Sequence, residues 1–191
     1  VFFGSALKIQ GIEDLMDAII DLSFIKEYPK EFGARVYKIS SDDQGNRLTH
    51  VKITGGVLNA KDKIGADEKV DQIRLYNGKQ FEMVQTAYPG MICALKGLNN
   101  YEVGQGLGFE SDMTKPLLNA YMNYQLLLPE GVDALTMMRY CSVLAQEDPQ
   151  LQIEYDEQTK QIFLRLMGSI QMEILQKEIE KRSKVKVGFT T

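Results

Sequence analysis

The chain has no tryptophan, one histidine, two cysteines and five prolines in 191 residues. Each scarcity removes a class of function. Cys93 and Cys141 cannot build a disulfide framework and fit a reducing compartment. With His50 alone and no Cys-x-x-Cys pair, a His/Cys metal site is close to excluded. No run approaches the roughly 18–20 apolar residues that a membrane-spanning helix needs. No charged segment followed by an apolar one opens the chain as a signal peptide would. The phosphate-cradling loop Gly-x-x-x-x-Gly-Lys-Ser/Thr is missing too. A net charge of −4 argues against holding nucleic acid by bulk electrostatics. What remains is 44% hydrophobic and 25% charged, an ordinary globular composition. The expectation is a soluble, cytoplasmic, monomeric protein with no membrane partner. Because the chain begins with Val1 inside an apolar run, it reads as an internal piece of a longer protein.

Three blocks separate by pattern. Residues 1–28 read as a strand from Val1, a turn, and a helix beginning near Gly11 with Glu13 and Asp14 in its first turn, where carboxylates favour the dipole. Ile12, Leu15, Met16, Ile19 and Leu22 follow helical spacing. One strand and one helix cannot bury their own apolar faces, so this block reads as the tail of a larger α/β domain. Residues 31–112 change period. Strand-like runs at 32–39, 48–54, 69–76, 81–84 and 91–95 alternate with the turn signals Asp42-Asp-Gln-Gly45, Gly55-Gly56, Asn77-Gly78 and Pro89-Gly90. Short strands at close spacing predict a small β-barrel. Residues 117–191 give strand 121–128, helix 133–146 with Leu135, Met138, Cys141 and Ala145 inward, a hairpin over 151–166, a helix to about Arg182 with Met172, Leu175 and Ile179 inward, and a strand through Val185, Val187 and Phe189. That order, β-α-β-β-α-β, is the ferredoxin-like unit. The fold class is therefore mixed β and α+β.

Chemistry-bearing motifs are few. Gly104-Gln-Gly-Leu-Gly108 opens no helical pattern and reads as a structural turn at the barrel edge. Asp42-Asp-Gln-Gly45 lies between two strands of a hairpin, where Asp and Gly are expected anyway. The only histidine stands mid-strand without a nucleophile, and both cysteines read as core thiols. No catalytic residue and no metal ligand is assigned, and the segment by itself is expected to be inactive. Gly4-Ser5-Ala6 ends the first strand before a helix, where open α/β sheets place ligands. On its own chemistry so small a tripeptide is a weak signal, and an ordinary strand-to-helix turn is the better account of it. Lys177, Lys181, Arg182, Lys184 and Lys186 cluster at the last helix, interleaved with Glu178 and Glu180. A solvated helix end accounts for such cations, which also favour the dipole there; contact with RNA or an acidic partner is the sharper reading. Arg35, Lys38, Arg47 and Lys52 stand on barrel strands in the same position of choice.

Taken together, these segments resemble a translational GTPase of the elongation factor G superfamily. Val1-Phe-Phe-Gly-Ser-Ala-Leu7 with Gly11-Ile-Glu-Asp-Leu-Met-Asp-Ala18 looks like the last strand and helix of the G domain. Phe32–Ile39, Gly45–Gly56 and Ala87-Tyr-Pro-Gly-Met-Ile-Cys-Ala-Leu-Lys-Gly97 look like domain II. Glu147-Asp-Pro-Gln-Leu151 and Leu166-Met-Gly-Ser-Ile-Gln-Met-Glu-Ile-Leu175 resemble domain III. Within the superfamily, Leu126-Leu-Leu-Pro-Glu-Gly131 and the glycine-rich 104–108 segment point toward the tetracycline-resistance ribosomal protection proteins. An elongation factor G paralogue, a release-factor-like GTPase and, from another class, a non-enzymatic RNA- or protein-binding adaptor are the alternatives.

The resemblance implies that Ser5 and Ala6 belong to the guanine-reading element. It implies that GTP and magnesium serve an intact parent rather than this segment. The ribosome would be the partner, with the barrel on small-subunit RNA and domain III on a small-subunit protein, and Arg35, Arg47, Lys52, Lys181 and Arg182 as candidate contacts. The segment from Glu110 to Pro116 is expected to act as a pivot between the two units, stiffened at Lys115-Pro116.

Overall fold

The computed structural model describes residues 1–24, 26–65, 68–114 and 120–190. One helix, α1 (Ile12–Leu22), follows the first turn, with Gly11 at its N-cap in the left-handed region and Glu13 and Asp14 in its first turn. The strand expected at Val1–Phe3 does not form. No described strand lies beside it, and a strand without a neighbour leaves its peptide groups bonded only to water. No side chain of α1 is buried.

The second block is built almost entirely of antiparallel strands. Its main sheet has six: β1 (Gly33–Ser41), β2 (Arg47–Gly55), β6 (Gln72–Asn77), β7 (Gln80–Val84), β9 (Ile92–Lys96) and β10 (Gly106–Gly108), in the order β10-β1-β2-β9-β6-β7. Four two-residue strands pair off beside it: β3 (Leu58–Asn59) with β8 (Thr86–Ala87), and β4 (Lys63–Ile64) with β5 (Glu68–Lys69). Alternation turns Ala34, Val36, Val51, Ile53, Ile73, Leu95 and Leu107 inward to one core. The sheet wraps that core like a barrel, yet its outer strands β10 and β7 are not hydrogen-bonded to each other. A β-bulge interrupts the β1–β2 register: Val36 faces Val51 and Lys38 faces His50, so Tyr37 is the extra residue. Tyr37 and Lys38 consequently both lie exposed, which strict alternation forbids.

The third block runs β11 (Met122–Leu127), α2 (Ala134–Glu147), β12 (Gln152–Asp156), β13 (Gln161–Leu166), α3 (Ser169–Ser183), β14 (Gly188–Thr190). Its sheet order, β12-β13-β11-β14, puts the third strand of the block between the first and second, as a split βαβ unit requires. Asp133 caps α2, its carboxylate accepting from the Thr136 N–H at 2.9 Å and hydroxyl at 2.7 Å. The inward stripe of α2 is Met137, Cys141 and Leu144. Leu135, expected inside, is exposed because it sits two residues before Met137, roughly 200° around the helix. The last strand starts later than expected. Lys184 caps α3 in the left-handed region, and the Val185 and Val187 N–H groups are taken by Ser183 Oγ and Glu180 Oε1, so the chain joins β11 only afterwards.

Barrel and third block touch where α2 ends. Ser41 Oγ donates to Glu147 Oε1 at 2.8 Å, Arg47 bonds the Gln146 side-chain oxygen, and the same arginine donates to the Tyr101 carbonyl at 2.5 Å.

Candidate functional site

Residues 5–10 form a self-bonded loop ahead of α1. Ser5 and Gln10 exchange backbone hydrogen bonds at 3.0 and 3.1 Å, and the Lys8 and Ile9 N–H groups donate to the Ser5 and Ala6 carbonyls. Ile9 takes a left-handed φ of 54°, costly for a β-branched residue. The Ala6 and Leu7 N–H groups meet no acceptor among the described residues, and both residues are exposed. Such a loop can offer backbone donors to an oxygen-bearing ring edge. It supplies nothing for phosphates or magnesium: the chain has no phosphate loop, and among the described residues no three His, Cys, Asp or Glu side chains are grouped to hold a metal ion.

The five candidate contact cations divide. Arg35 is wrapped by residues 104–114. Its guanidinium bonds Glu110 at 2.5 Å, Asp112 at 2.6 Å, Thr114 Oγ1 at 2.9 Å and the Gly104 carbonyl at 3.2 Å. This explains the glycine-rich segment: Gly104 has φ 90°, and a Cβ there would sit 2.1 Å from the Thr114 carbonyl oxygen. It also ties the first half of the expected pivot to the barrel, while Lys115-Pro116 lies outside the described residues. Arg47 is engaged at the junction with α2. Arg182 bonds Glu147 at 2.6 Å and lies 3.6 Å from Glu178. Lys52 and Lys181 remain exposed, the latter 3.9 Å from Glu178. Three of the five therefore brace the protein, and two stand open.

A second feature emerges only in three dimensions. On the outer face of the barrel, Tyr37, His50, Tyr76 and Phe81 form a row with ring centroids 6.0, 6.0 and 5.4 Å apart. Arg74 lies 4.4 Å from the centre of the Phe81 ring and 3.1 Å from Asp42 Oδ2, in a pair with side chains only 7% and 12% exposed. Burial pushes the Asp42 carboxyl up, but bonds from the Asn46 backbone and side chain and from Arg74 outweigh it and hold the group below the usual carboxylate range. His50 is driven below its ordinary value by burial, then by Lys38, so its ring is neutral at pH 7, with Nε2 2.8 Å from Ser40 Oγ. A cleft of about 610 Å³ opens here, lined by Lys38, Ser40, His50, Tyr76, Lys79 and Phe81 among others.

Arg74, Tyr76, Lys79 and Phe81 were not singled out from the sequence. The signal was available: Asn77-Gly78 marks a hairpin, and a hairpin there makes Tyr76 and Phe81 a cross-strand pair. Neither thiol is a nucleophile, since burial pushes Cys93 up to about 12 and Cys141 up to about 11. No helix of the described residues is long and apolar enough to cross a membrane.

Known proteins align with the whole of this arrangement. The family model for elongation factor G domain 2 matches residues 31–108, and that for elongation factor G, domain III, matches residues 130–191. Tetracycline resistance protein TetP of Clostridium perfringens is 32% identical over 206 residues, covering 100% of this chain and 30% of that protein. Elongation factor G of Neorickettsia sennetsu is 26% identical over 220 residues, covering 98% of this chain and 31% of that protein. A solved protein from Thermus thermophilus superposes with a TM-score of 0.75 at 18% identity, over 94% of this chain and 29% of its own, a likeness of fold. The chain thus spans about a third of the length of these relatives.

Proposed function

This chain belongs to the elongation factor G family, and on that premise we propose that it supplies the G-domain tail, the docking barrel and the relay domain of a ribosome-binding translational GTPase of the tetracycline-resistance kind. The observation that carries the finer assignment is the 32% identity to TetP along the entire chain, against 25–26% for the elongation factors G. In this reading the barrel docks on small-subunit RNA in the cytoplasm, with Lys52 among its open cations. The third block meets a small-subunit protein through the α3 end around Lys181. Ser5 and Ala6 lie in the element that reads guanine, with the unclaimed N–H groups of Ala6 and Leu7 beside them as donors. The phosphates and magnesium of GTP would be held by parts of the parent that this chain does not contain, so the segment alone binds GTP too weakly to titrate.

The test uses the full-length protein that carries this segment: release of labelled tetracycline from ribosomes in the presence of GTP. Release establishes ribosomal protection. Ribosome-stimulated GTP hydrolysis without release moves the protein to the elongation or release-factor branch. Coding sequence without a phosphate loop removes the GTPase reading and leaves an adaptor.

A further inference from the structure

We infer that the outer cleft of the barrel is a seat for an unpaired RNA nucleotide, with its base against the Tyr76–Phe81 end of the ring row and its phosphates toward Lys38 and Lys79. The inference rests on the ribosome-docking reading and narrows it to one subsite and one state of the RNA.

Four observations converge. First, the rings are accessible: Tyr37, Tyr76 and Phe81 are 46%, 40% and 45% exposed, although rings of that size gain by burial and nothing among the described residues covers them. Second, the surroundings are cationic where a backbone would run. Lys38 and Lys79 line the cleft, and Lys52 follows His50 by two residues on the same face of β2; none of the three makes an ion pair among the described residues. Asp42 also lines the cleft but is paired with Arg74, which leaves Asp43 as the open carboxylate among the described lining residues against two lysines, with Glu82 on the neighbouring surface of the Tyr76 and Phe81 pair. Third, the site is built. The bulge at Tyr37 swings an extra ring and Lys38 to the outside together, and Arg74, pinned by Asp42 and Gln72, backs the Phe81 ring with its guanidinium. Fourth, the approach is open, since Gly78 in the turn beside Tyr76 and Lys79 has no neighbour within 4 Å of where a Cβ would stand.

A recess of about 610 Å³ has the size of a small-ligand pocket and takes a nucleotide rather than a duplex. Aromatic faces flanked by lysines are the means by which single strands are held without base-edge readout, because every base has a π-face. Neutral His50, bonded to Ser40, adds a flat polar ring beside Tyr76 without adding a charge of its own.

The experiment measures fluorescence anisotropy of the 191-residue chain with a labelled unstructured ten-nucleotide RNA and with a labelled RNA hairpin of equal charge. Variants are Tyr76→Leu, which keeps apolar volume and removes the ring, Lys79→Gln, and Lys181→Gln as a control in the third block. Circular dichroism certifies folding, and Tyr76→Phe serves as the ring-retaining comparison. The expected result is preference for the single strand and a loss of about 5- to 150-fold on Tyr76→Leu. Tyr76→Phe and Lys181→Gln should stay near the parent, and Lys79→Gln should shallow the log-affinity against log-salt slope by roughly 0.7. Absence of saturable single-strand binding, or equal binding by parent and Tyr76→Leu, overturns the proposal. Co-sedimentation of the chain with isolated small subunits tests the docking reading separately. Sedimentation of Tyr76→Leu at parental level together with unchanged oligonucleotide binding rejects the seat and retains the docking, whereas no sedimentation by the parent rejects the docking itself.

Discussion

Residues 1–24 leave Phe2, Phe3, Leu15, Met16, Ile19 and Leu22 exposed, whereas the barrel holds Val51, Ile53, Ile73 and Leu95 at 0% exposure. Both regions show a clear apolar period, about 3.6 in α1 and 2 in the strands. The period sets the local conformation in each case, because it places apolar side chains on one face. Burial needs a second face. The barrel provides its own by curling six strands around Ile53 and Leu95, and α1 has none among the described residues. An apolar pattern therefore reports a conformation, and only a closed contact network turns it into stability.

The sharpest way to break that comparison is a pair of truncations read by urea unfolding. Ile53→Ala should cost about 2–5 kcal/mol, since it removes a fully buried branched side chain from a packed core. An unchanged midpoint would show that the barrel does not carry the stability assigned to it. Next in size is Asp42→Asn, which leaves Arg74 facing a neutral amide and should cost roughly 1.5–3 kcal/mol at pH 7. The sign with pH is fixed. The Asp42 carboxyl is depressed in the folded protein, so its contribution is full above the unfolded value near about 3.9 and drains away as pH falls through the lower folded value. The parent should lose this part of its stability on acidification and the Asn variant should lack it; parallel curves for the two proteins would contradict the assignment.

Smaller again is Asp133→Ala, which strips the α2 cap from the Thr136 N–H and should lower the unfolding midpoint by less than Asp42→Asn does. A loss confined to third-block probes would show that barrel and third block unfold separately, and a single shifted transition would show one unit. The smallest effect belongs to α1. Ile19→Ala, at 59% exposure, should change the unfolding free energy by less than about 0.5 kcal/mol. A loss comparable to that of Ile53→Ala would mean that α1 finds a partner in solution, and the contrast would collapse.

Much of the fold was legible because long elements with unbroken periods declare themselves. The strands carrying Val36, Ile53, Ile73 and Leu95, the hairpin of Ile153 and Leu164, and the start of α2 near Asp133 all follow from spacing and turn chemistry. The two-residue strands β3, β4, β5 and β8 did not, since two residues cannot show an alternation. Leu135 was misplaced by an error of phase, because its neighbours Met137 and Met138 allow two stripes and only packing against β13 and α3 selects one. The site was less legible than the fold. Charge alone made Arg35, Arg47 and Arg182 candidates equal to Lys52, and it took their partners, Glu110, Gln146 and Glu147, to separate bracing arginines from open lysines. The ring row as a whole escaped because Tyr37 owes its position to a bulge, although the Asn77-Gly78 turn makes its Tyr76 and Phe81 pair readable.

The turn between β1 and β2 has a consequence of its own. Asp42 and Asn46 close it with the Asp42 N–H on the Asn46 carbonyl at 2.9 Å and the Asn46 N–H on the Asp42 carboxylate at 2.8 Å, while Gly45 donates to the Asp42 carbonyl at 2.8 Å. Its flanks, Ser41 and Arg47, grip the end of α2, and Asp42 grips Arg74. Hairpin tips ordinarily trade their amide hydrogens with water almost at once. Here three of them are hydrogen-bonded within the turn and its flanks are anchored to α2 and Arg74, so hydrogen exchange should find the Asn46 amide slower than that of a free tip, and faster in a variant whose Ser41 and Arg47 grip on α2 is removed.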